Sequence, residues 1–198
     1  MPPLKPLLRL NRPRVAFPNA HLPHRTFLTA PPSTHHEKHH LGYTPKQLYA
    51  LVSNINSYHL FVPWCAHSQV LSHKKLNGKD VLKAELGVGF RAFSENYVSE
   101  VTCVPYERVQ AVASNSTLFR TLITTWKFAP GTPTNTTPDS PTTLVDFSIA
   151  FQFKSPLYAH LSNLFFEEVS KVMVGAFEER ARKVYGPPAI VRRVGDRR

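Results

Sequence analysis

The feature that most constrains the fold is a strict alternation of residue types late in the chain. Its large apolar members are Phe147, Ile149, Phe151 and Phe153, and every residue between them is polar or small. A period of two is typical of a β-strand with one buried face, as antiparallel sheets have. The segment therefore predicts a strand whose aromatic face packs against a core.

The same period recurs earlier in the chain and predicts further strands. Apolar residues alternate over 82–90, 93–103 and 109–113, and another strand is predicted around 122–128. A first strand is predicted over 34–41. With the late strand, these segments indicate an antiparallel sheet of about six to seven strands.

Two short helices are predicted between the first strand and the rest of the sheet. Thr44, Pro45 and Gln47 fit the N-cap, N1 and N3 positions of a capping box, so a helix is expected to begin at residue 45. A second short helix is predicted over 56–60.

A long helix is predicted from the Ser155-Pro156 pair to Tyr185, where Gly186 ends it. Its length of roughly 30 residues corresponds to about 45 Å. Its apolar stripe is predicted to comprise Leu157, Leu161, Leu164, Phe165, Val169, Val172, Met173, Ala176 and Phe177.

This order of elements predicts an α+β fold in which a curved antiparallel sheet packs around one long C-terminal helix. The chain has 198 residues, of which 42% are apolar, enough for one domain with a real core. Because one helix cannot fill the whole concave face of such a sheet, we expect an elongated apolar cavity between them.

The positive charge of the chain belongs mostly to its ends. The net charge is +11, but residues 41–185 contain 14 basic and 11 acidic residues. Residues 1–40 contain six basic residues and one acid, and residues 186–198 contain four arginines and one aspartate. The counts do not require a basic face on the folded part, so no nucleic-acid partner is expected.

Three segments are predicted. Residues 1–33 contain eight prolines, several arginines and no acid, which fits a mitochondrial transit peptide or a plain disordered tail. Residues 34–188 form the folded domain, and residues 189–198 form a basic disordered tail. No apolar run is long enough for a transmembrane helix. Cys65 and Cys103 form no CxxC motif, which favours a reducing compartment.

A zinc-protease string also occurs in the first predicted strand. His36, Glu37 and His40 match the HExxH pattern, which binds zinc when a helix places its two histidines one turn apart. In a strand these histidines would be about 13 Å apart. No metal site is therefore predicted.

Several further segments are specific: FVPWC (61–65), LGVGF (86–90), VDFSIAFQF (145–153) and LFFEEV (164–169). Through them the chain resembles the coenzyme Q-binding family of START-type proteins, over about three quarters of its length. The resemblance implies a helix-grip lipid-binding domain that binds ubiquinone and is not an enzyme. It implies no cofactor besides this ligand.

The resemblance also implies a role as a lipid chaperone or carrier in respiration and quinone biosynthesis. The protein would lie on the matrix side of the mitochondrial inner membrane, in peripheral contact with it, and homo-oligomerisation is left open. A polyketide cyclase or aromatase, or a ribosome-interacting module, would use the same fold and remains an alternative.

Pattern alone favours an ordinary core for the inward residues, but the resemblance indicates that they line a ubiquinone cavity. Tyr97 and Trp126 are candidate hydrogen-bond donors to the quinone. The predicted lining comprises Phe61, Val62, Trp64, Leu86, Val88, Phe90, Phe93, Tyr97, Leu122, Trp126, Phe147, Ile149, Phe151, Phe165, Val169 and Met173.

Overall fold

One antiparallel sheet organises the part of the chain that the computed structural model describes, namely residues 31–90, 93–131, 142–155 and 159–189. The strands are β1 (Ser33–Leu41), β2 (Cys65–Leu76), β3 (Lys79–Phe90), β4 (Phe93–Val104), β5 (Arg108–Asn115), β6 (Phe119–Pro130) and β7 (Thr143–Phe153). Their order across the sheet is β1-β7-β6-β5-β4-β3-β2.

The helices are α1 (Pro45–Ser53), a 3₁₀ helix (Ile55–Leu60) and α2 (Ala159–Tyr185). Together with the curved antiparallel sheet, they confirm the predicted helix-grip α+β fold. The predicted N-terminal segment and basic tail lie almost entirely outside the described residues. The first strand begins at Ser33, one residue before its predicted start.

The capping box predicted for α1 is present. The backbone N–H of Gln47 donates to Thr44 Oγ1 at 3.2 Å, and the backbone N–H of Thr44 donates to Gln47 Oε1 at 2.9 Å. Two N–H groups that a helix start leaves without partners are thereby satisfied. The helix buries Leu48, Leu51 and Val52.

The long helix α2 packs against the sheet through residues spaced three to five apart. Val169, Val174, Phe177 and Ala181 are buried. Val172, predicted in the apolar stripe, is instead 39% exposed, because it lies on the opposite side of the helix from this row. No helix among the described residues is both long and apolar enough to cross a membrane.

The end of α2 is fastened to the beginning of the domain. Tyr43 donates a hydrogen bond to the carbonyl of Gly186 at 2.9 Å, and the Ala189 N–H donates to the Gly42 carbonyl at the same distance. Gly186 has φ +86°, the left-handed conformation that ends many helices. These contacts hold α2 across the sheet.

Candidate functional site: an apolar cavity

A patch of small residues lies at the centre of the sheet's inner face. The register places Ser99 opposite both Ala84 and Ala113, and Thr124 opposite Ala111. Residues directly opposite in antiparallel strands share a face, so all five face α2. Because larger neighbours hold the helix away, these short side chains leave space between helix and sheet.

A cavity of about 120 Å³ occupies this space. Eleven of the sixteen residues predicted to line it lie in its wall. They are Val62, Trp64, Leu86, Val88, Tyr97, Leu122, Trp126, Phe147, Ile149, Val169 and Met173.

Two of the predicted lining residues are placed elsewhere. Phe61 packs against Phe177, with ring centroids 5.0 Å apart, and lies under the guanidinium of Arg180. A tight turn, in which the Val62 N–H donates to the Tyr58 carbonyl at 2.8 Å, directs it behind Phe177. Its role is to support the wall from outside.

Phe151 is the second residue placed outside the wall. It is 1% exposed, and its ring contacts Phe119 and Phe153 at centroid distances of 6.5 and 5.5 Å. It has the predicted inward direction but lies beyond the end of the cavity, where aromatic neighbours fill the space. Alternation predicts only that a side chain points inward. It does not predict whether that side chain packs in the core or lines the cavity.

The side chains of Phe90, Phe93 and Phe165 lie outside the described part of the chain, so their predicted place in the lining stays a prediction. Phe90 and Phe93 are paired in the backbone register of β3 and β4, and Phe165 lies within α2.

The wall also contains residues that the sequence reasoning did not include in the lining. Val101, Val109 and Ala111 share the alternation of the predicted residues and could have been found from it. The full additional set is Ile55, Tyr58, Pro63, Cys65, Ser99, Val101, Val109, Ala111, Phe119, Thr124 and Phe177.

An aromatic cluster centred on Phe177 closes one end of the cavity. Its ring centroid lies 4.7 Å from that of Trp126 and 5.3 Å from that of Tyr58. Trp126 in turn lies 4.5 Å from Phe147 on the neighbouring strand. Such contacts between aromatic rings stabilise beyond their buried area, so this end is firmly packed.

We assign the mouth of the cavity to partly exposed lining residues of two neighbouring segments: Val62 and Trp64, which precede β2, and Leu86 and Val88 on β3. Trp64 has φ +60°, which is unusual for a bulky residue, and its carbonyl accepts a hydrogen bond from the Gly89 N–H at 2.9 Å. Backbone strain of this kind concentrates at functional sites.

The Tyr58 hydroxyl and the Cys65 thiol of the wall donate to backbone carbonyls. Four further polar groups interrupt the apolar wall: the hydroxyls of Tyr97, Ser99 and Thr124, and the indole N–H of Trp126. Within the described part of the chain, none of them has a hydrogen-bond partner. Burial raises the pKa of Tyr97, so its phenol stays neutral and can donate. The wall is thus suited to an apolar ligand that carries a few acceptor atoms.

Both cysteines are free thiols, and one of them faces the cavity. Burial raises the pKa of Cys65 to about 11, although an interaction with the His67 backbone acts in the opposite direction. The Cys65 side chain is therefore a protonated, weakly reactive thiol at neutral pH.

Two carboxylates, Asp146 on β7 and Glu95 on β4, would favour an enzyme if they were buried and unpaired in the cavity. Asp146 points to the outer face, where it contacts His36 at 2.9 Å and Lys38 at 3.6 Å. Partial burial alone would raise its pKa, but these two contacts outweigh it and the pKa is lowered. Glu95 is opposite Val88 in the register and therefore on the inner face, where it accepts a hydrogen bond from Thr117. Neither acid lines the cavity.

The HExxH string lies in strand β1, as predicted, and not in a helix. His36 and His40 point to the exposed outer face, while Glu37 points inward and lies 2.8 Å from the ring nitrogen of His39. The two outer histidines are about 13 Å apart along the strand, too far to share one metal ion.

Comparison with known families supports the same assignment of fold. Residues 41–178 match the family described as polyketide cyclase / dehydrase and lipid transport. The solved structure of the 18 kDa protein CC1736 from Caulobacter crescentus has a TM-score of 0.62 and 26% identity, and the match covers 78% of this chain and 99% of that one. The Zhui aromatase/cyclase, at TM-score 0.58 and 14% identity over 77% and 96% of the two chains, shares the fold.

Curated relatives are more similar in sequence. The chain is 44% identical to the coenzyme Q-binding protein COQ10 homolog B, mitochondrial, of Xenopus laevis, over 88% of this chain and 70% of that protein. It is 37% identical to the Drosophila melanogaster COQ10 protein over 78% and 60% of the two. It is also 32% identical to the ribosome association toxin RatA of Rickettsia prowazekii, over 73% and 92%. By this sequence similarity and by its fold, the chain belongs to the coenzyme Q-binding START family.

Proposed function

We propose that this protein binds ubiquinone in the cavity and acts as a lipid chaperone or carrier that supports respiratory electron transport and quinone biosynthesis. The observation that carries the proposal is the cavity itself. It is lined mainly by apolar side chains, has a partly exposed mouth, and belongs to a chain 44% identical to a protein named for coenzyme Q binding.

The energetics favour a prenyl lipid. Each 100 Å² of apolar ligand surface that the wall buries would contribute about 2.5 kcal/mol at about 25 cal/mol per Å². Losses of translational freedom and of tail flexibility offset much of this gain. An apolar wall with few polar contacts is therefore sufficient for useful affinity.

We propose a binding role without catalysis, with ubiquinone as ligand and no resident cofactor. Cyclases of the same fold need polar groups that converge on the substrate to polarise its carbonyls. Here Asp146 lies on the outer face, Glu95 is hydrogen-bonded to Thr117, and neither acid lies in the wall of the cavity.

The proposed location is the mitochondrial matrix side of the inner membrane, with peripheral contact to the bilayer. Support comes from relatives named mitochondrial and from the acid-free, arginine-containing N-terminal sequence. Leu60, which is 62% exposed beside Val62 and Trp64 at the mouth, offers an apolar contact to lipid.

The test is extraction of the purified protein with organic solvent, followed by mass spectrometry, together with titration of the delipidated protein with ubiquinone. We expect co-purifying ubiquinone and binding at micromolar concentration or tighter. Absence of both would overturn the proposal.

A ribosome-interacting role is the second candidate, because the RatA relative is matched over 92% of its length. Residues 41–185 contain 14 basic and 11 acidic residues, which gives little net attraction to RNA. Co-sedimentation with mitochondrial ribosomes that weakens as salt increases would favour this candidate over quinone binding.

A further inference from the structure

Two hydroxyl groups in the cavity wall have no explanation in the fold. Ser99 is 2% exposed and Thr124 lies two strands away, and neither side chain has a hydrogen-bond partner among the described residues. Buried polar groups are nearly always hydrogen-bonded, and leaving one unpaired costs about 1–3 kcal/mol. Thr124 is half-buried, and both side chains line the open cavity, so a ligand or water that enters the cavity can satisfy these hydroxyls.

The two hydroxyls flank an apolar strip. Ser99 on β4 is opposite Ala113, and Thr124 on β6 is opposite Ala111, so β5 separates them with methyl groups only. Two strand spacings and a two-residue offset put their backbones about 12 Å apart, and the concave curvature brings the side chains closer. A quinone ring has its two carbonyls on opposite sides. If each carbonyl accepts one hydrogen bond, the two donor atoms are roughly 11 Å apart, which is comparable.

The cavity is closer in size to one small ring than to a complete prenyl lipid, and it must widen to take the substituents of a ubiquinone ring. An apolar cavity of about 150 Å³ binds one benzene molecule, and this cavity measures about 120 Å³. A long tail therefore has to continue outward past the partly exposed residues Val62 and Val88. Aromatic rings packed around Phe177 and around Phe119 bound the cavity on other sides.

We propose that the quinone ring enters first and lies over Ala111, with one carbonyl oxygen accepting a hydrogen bond from Ser99 and the opposite one from Thr124. The tail leaves between Val62 and Val88. This inference rests on the proposed function, and it adds the position and orientation of the head group. It makes the two hydroxyls the residues that distinguish a quinone from other prenyl lipids.

The test compares two ligands with the same ten-carbon tail, decylubiquinone and decylbenzene, by calorimetric titration of the full chain. Ser99→Ala and Thr124→Val remove the hydroxyls with little change of shape. We expect each variant to bind decylubiquinone about five-fold more weakly and the double variant roughly 25-fold more weakly. Decylbenzene affinity should stay unchanged in all three variants.

Thr102→Val, on the outer face of β4, is the matched control and should alter neither affinity. Infrared difference spectra of decylubiquinone labelled with ¹³C at its carbonyls give an independent readout. Both carbonyl bands should shift to lower frequency on binding, and each single variant should restore one of them.

The outcomes distinguish failure of the head-group site from failure of quinone binding itself. If the double variant binds decylubiquinone as tightly as the wild type, or if the carbonyl bands do not shift, the head-group site is wrong while quinone binding stands. Equal losses for both ligands would mean that the hydroxyls only shape the cavity, which also overturns the inference. If the wild-type protein does not bind decylubiquinone, the proposed function fails as well.

Discussion

A substitution at Val88 should abolish ligand binding without disturbing the fold. It lies in the cavity wall near the mouth and keeps partial contact with solvent. In Val88→Asp a carboxylate would face the apolar ligand without a partner, an arrangement that costs several kcal/mol. We expect ubiquinone binding to be lost in calorimetry while the circular dichroism spectrum stays native. The control variant Lys83→Asp, on the exposed face of the same strand, should bind ubiquinone normally. Tight binding by Val88→Asp would show that Val88 does not contact the ligand.

Phe151 should respond in the opposite way to the same substitution. Its ring is 1% exposed and fills space between Phe119 and Phe153. Phe151→Asp both deletes this packing and buries a charge, so a loss of more than about 4 kcal/mol is expected. Urea unfolding should show a largely unfolded chain. A stably folded Phe151→Asp variant that had lost only its ligand would place Phe151 in the cavity wall after all.

Cys65 reports on occupancy of the cavity. Its pKa is raised to about 11, so the thiolate fraction grows about ten-fold per pH unit below that value. Labelling by a small maleimide should therefore be slow at pH 7 and accelerate ten-fold per unit between pH 8 and pH 10. Bound ubiquinone should slow it further at every pH. As a control, Cys103, which is 1% exposed, should remain unlabelled in the Cys65→Ala variant. If the labelling rate of Cys65 did not depend on the ligand, Cys65 would not lie in the wall of the cavity.

At the scale of elements, the attachment of α2 depends on the absence of a side chain at Gly42. A Cβ there would lie 2.3 Å from the Ala189 carbonyl oxygen and 2.9 Å from Pro188 Cβ. We expect Gly42→Val to destabilise the domain by about 1–3 kcal/mol and to speed hydrogen exchange over the last turn of α2. Gly175→Ala is the control, because a methyl group there meets nothing within 4 Å. It should leave stability equal or higher by up to about 1 kcal/mol; equal effects of both substitutions would contradict the clash.

Local signals predicted most of these elements correctly, and the exceptions have physical reasons. The capping box at Thr44 and the alternation of β7 each depend on near neighbours in sequence, so one sequence reveals them. Strand β2 was not delimited, because residues 71–76 are exposed on both faces and show no alternation. The cavity was predicted only in outline: its position depends on Ala111 and Ser99 meeting across strands, and sequence pattern does not specify that register.

At the scale of the whole molecule, stability and ligand access make opposite demands on the space between helix and sheet. Large residues such as Phe147, Phe151 and Phe177 fill the flanks and support the fold. Small residues at Ser99, Ala111 and Thr124 leave the centre open. Since an empty apolar cavity lacks the contacts of a filled core, the ligand-free domain is less stable than its size would allow.

A ligand that fills this space should therefore stabilise the entire domain. At a free decylubiquinone concentration of 100 times Kd, mass action adds about 2.7 kcal/mol to the free energy of unfolding. For a chain of this length, that corresponds to a rise in Tm of about 5–10 °C. Differential scanning calorimetry should show this rise for the wild-type protein and no rise for Val88→Asp, which keeps the fold but loses the apolar wall. An equal rise in Tm for both proteins would mean that the quinone stabilises the fold from a site outside the cavity. An unchanged Tm of the wild-type protein at saturating ligand would mean that the native cavity does not take up the ring.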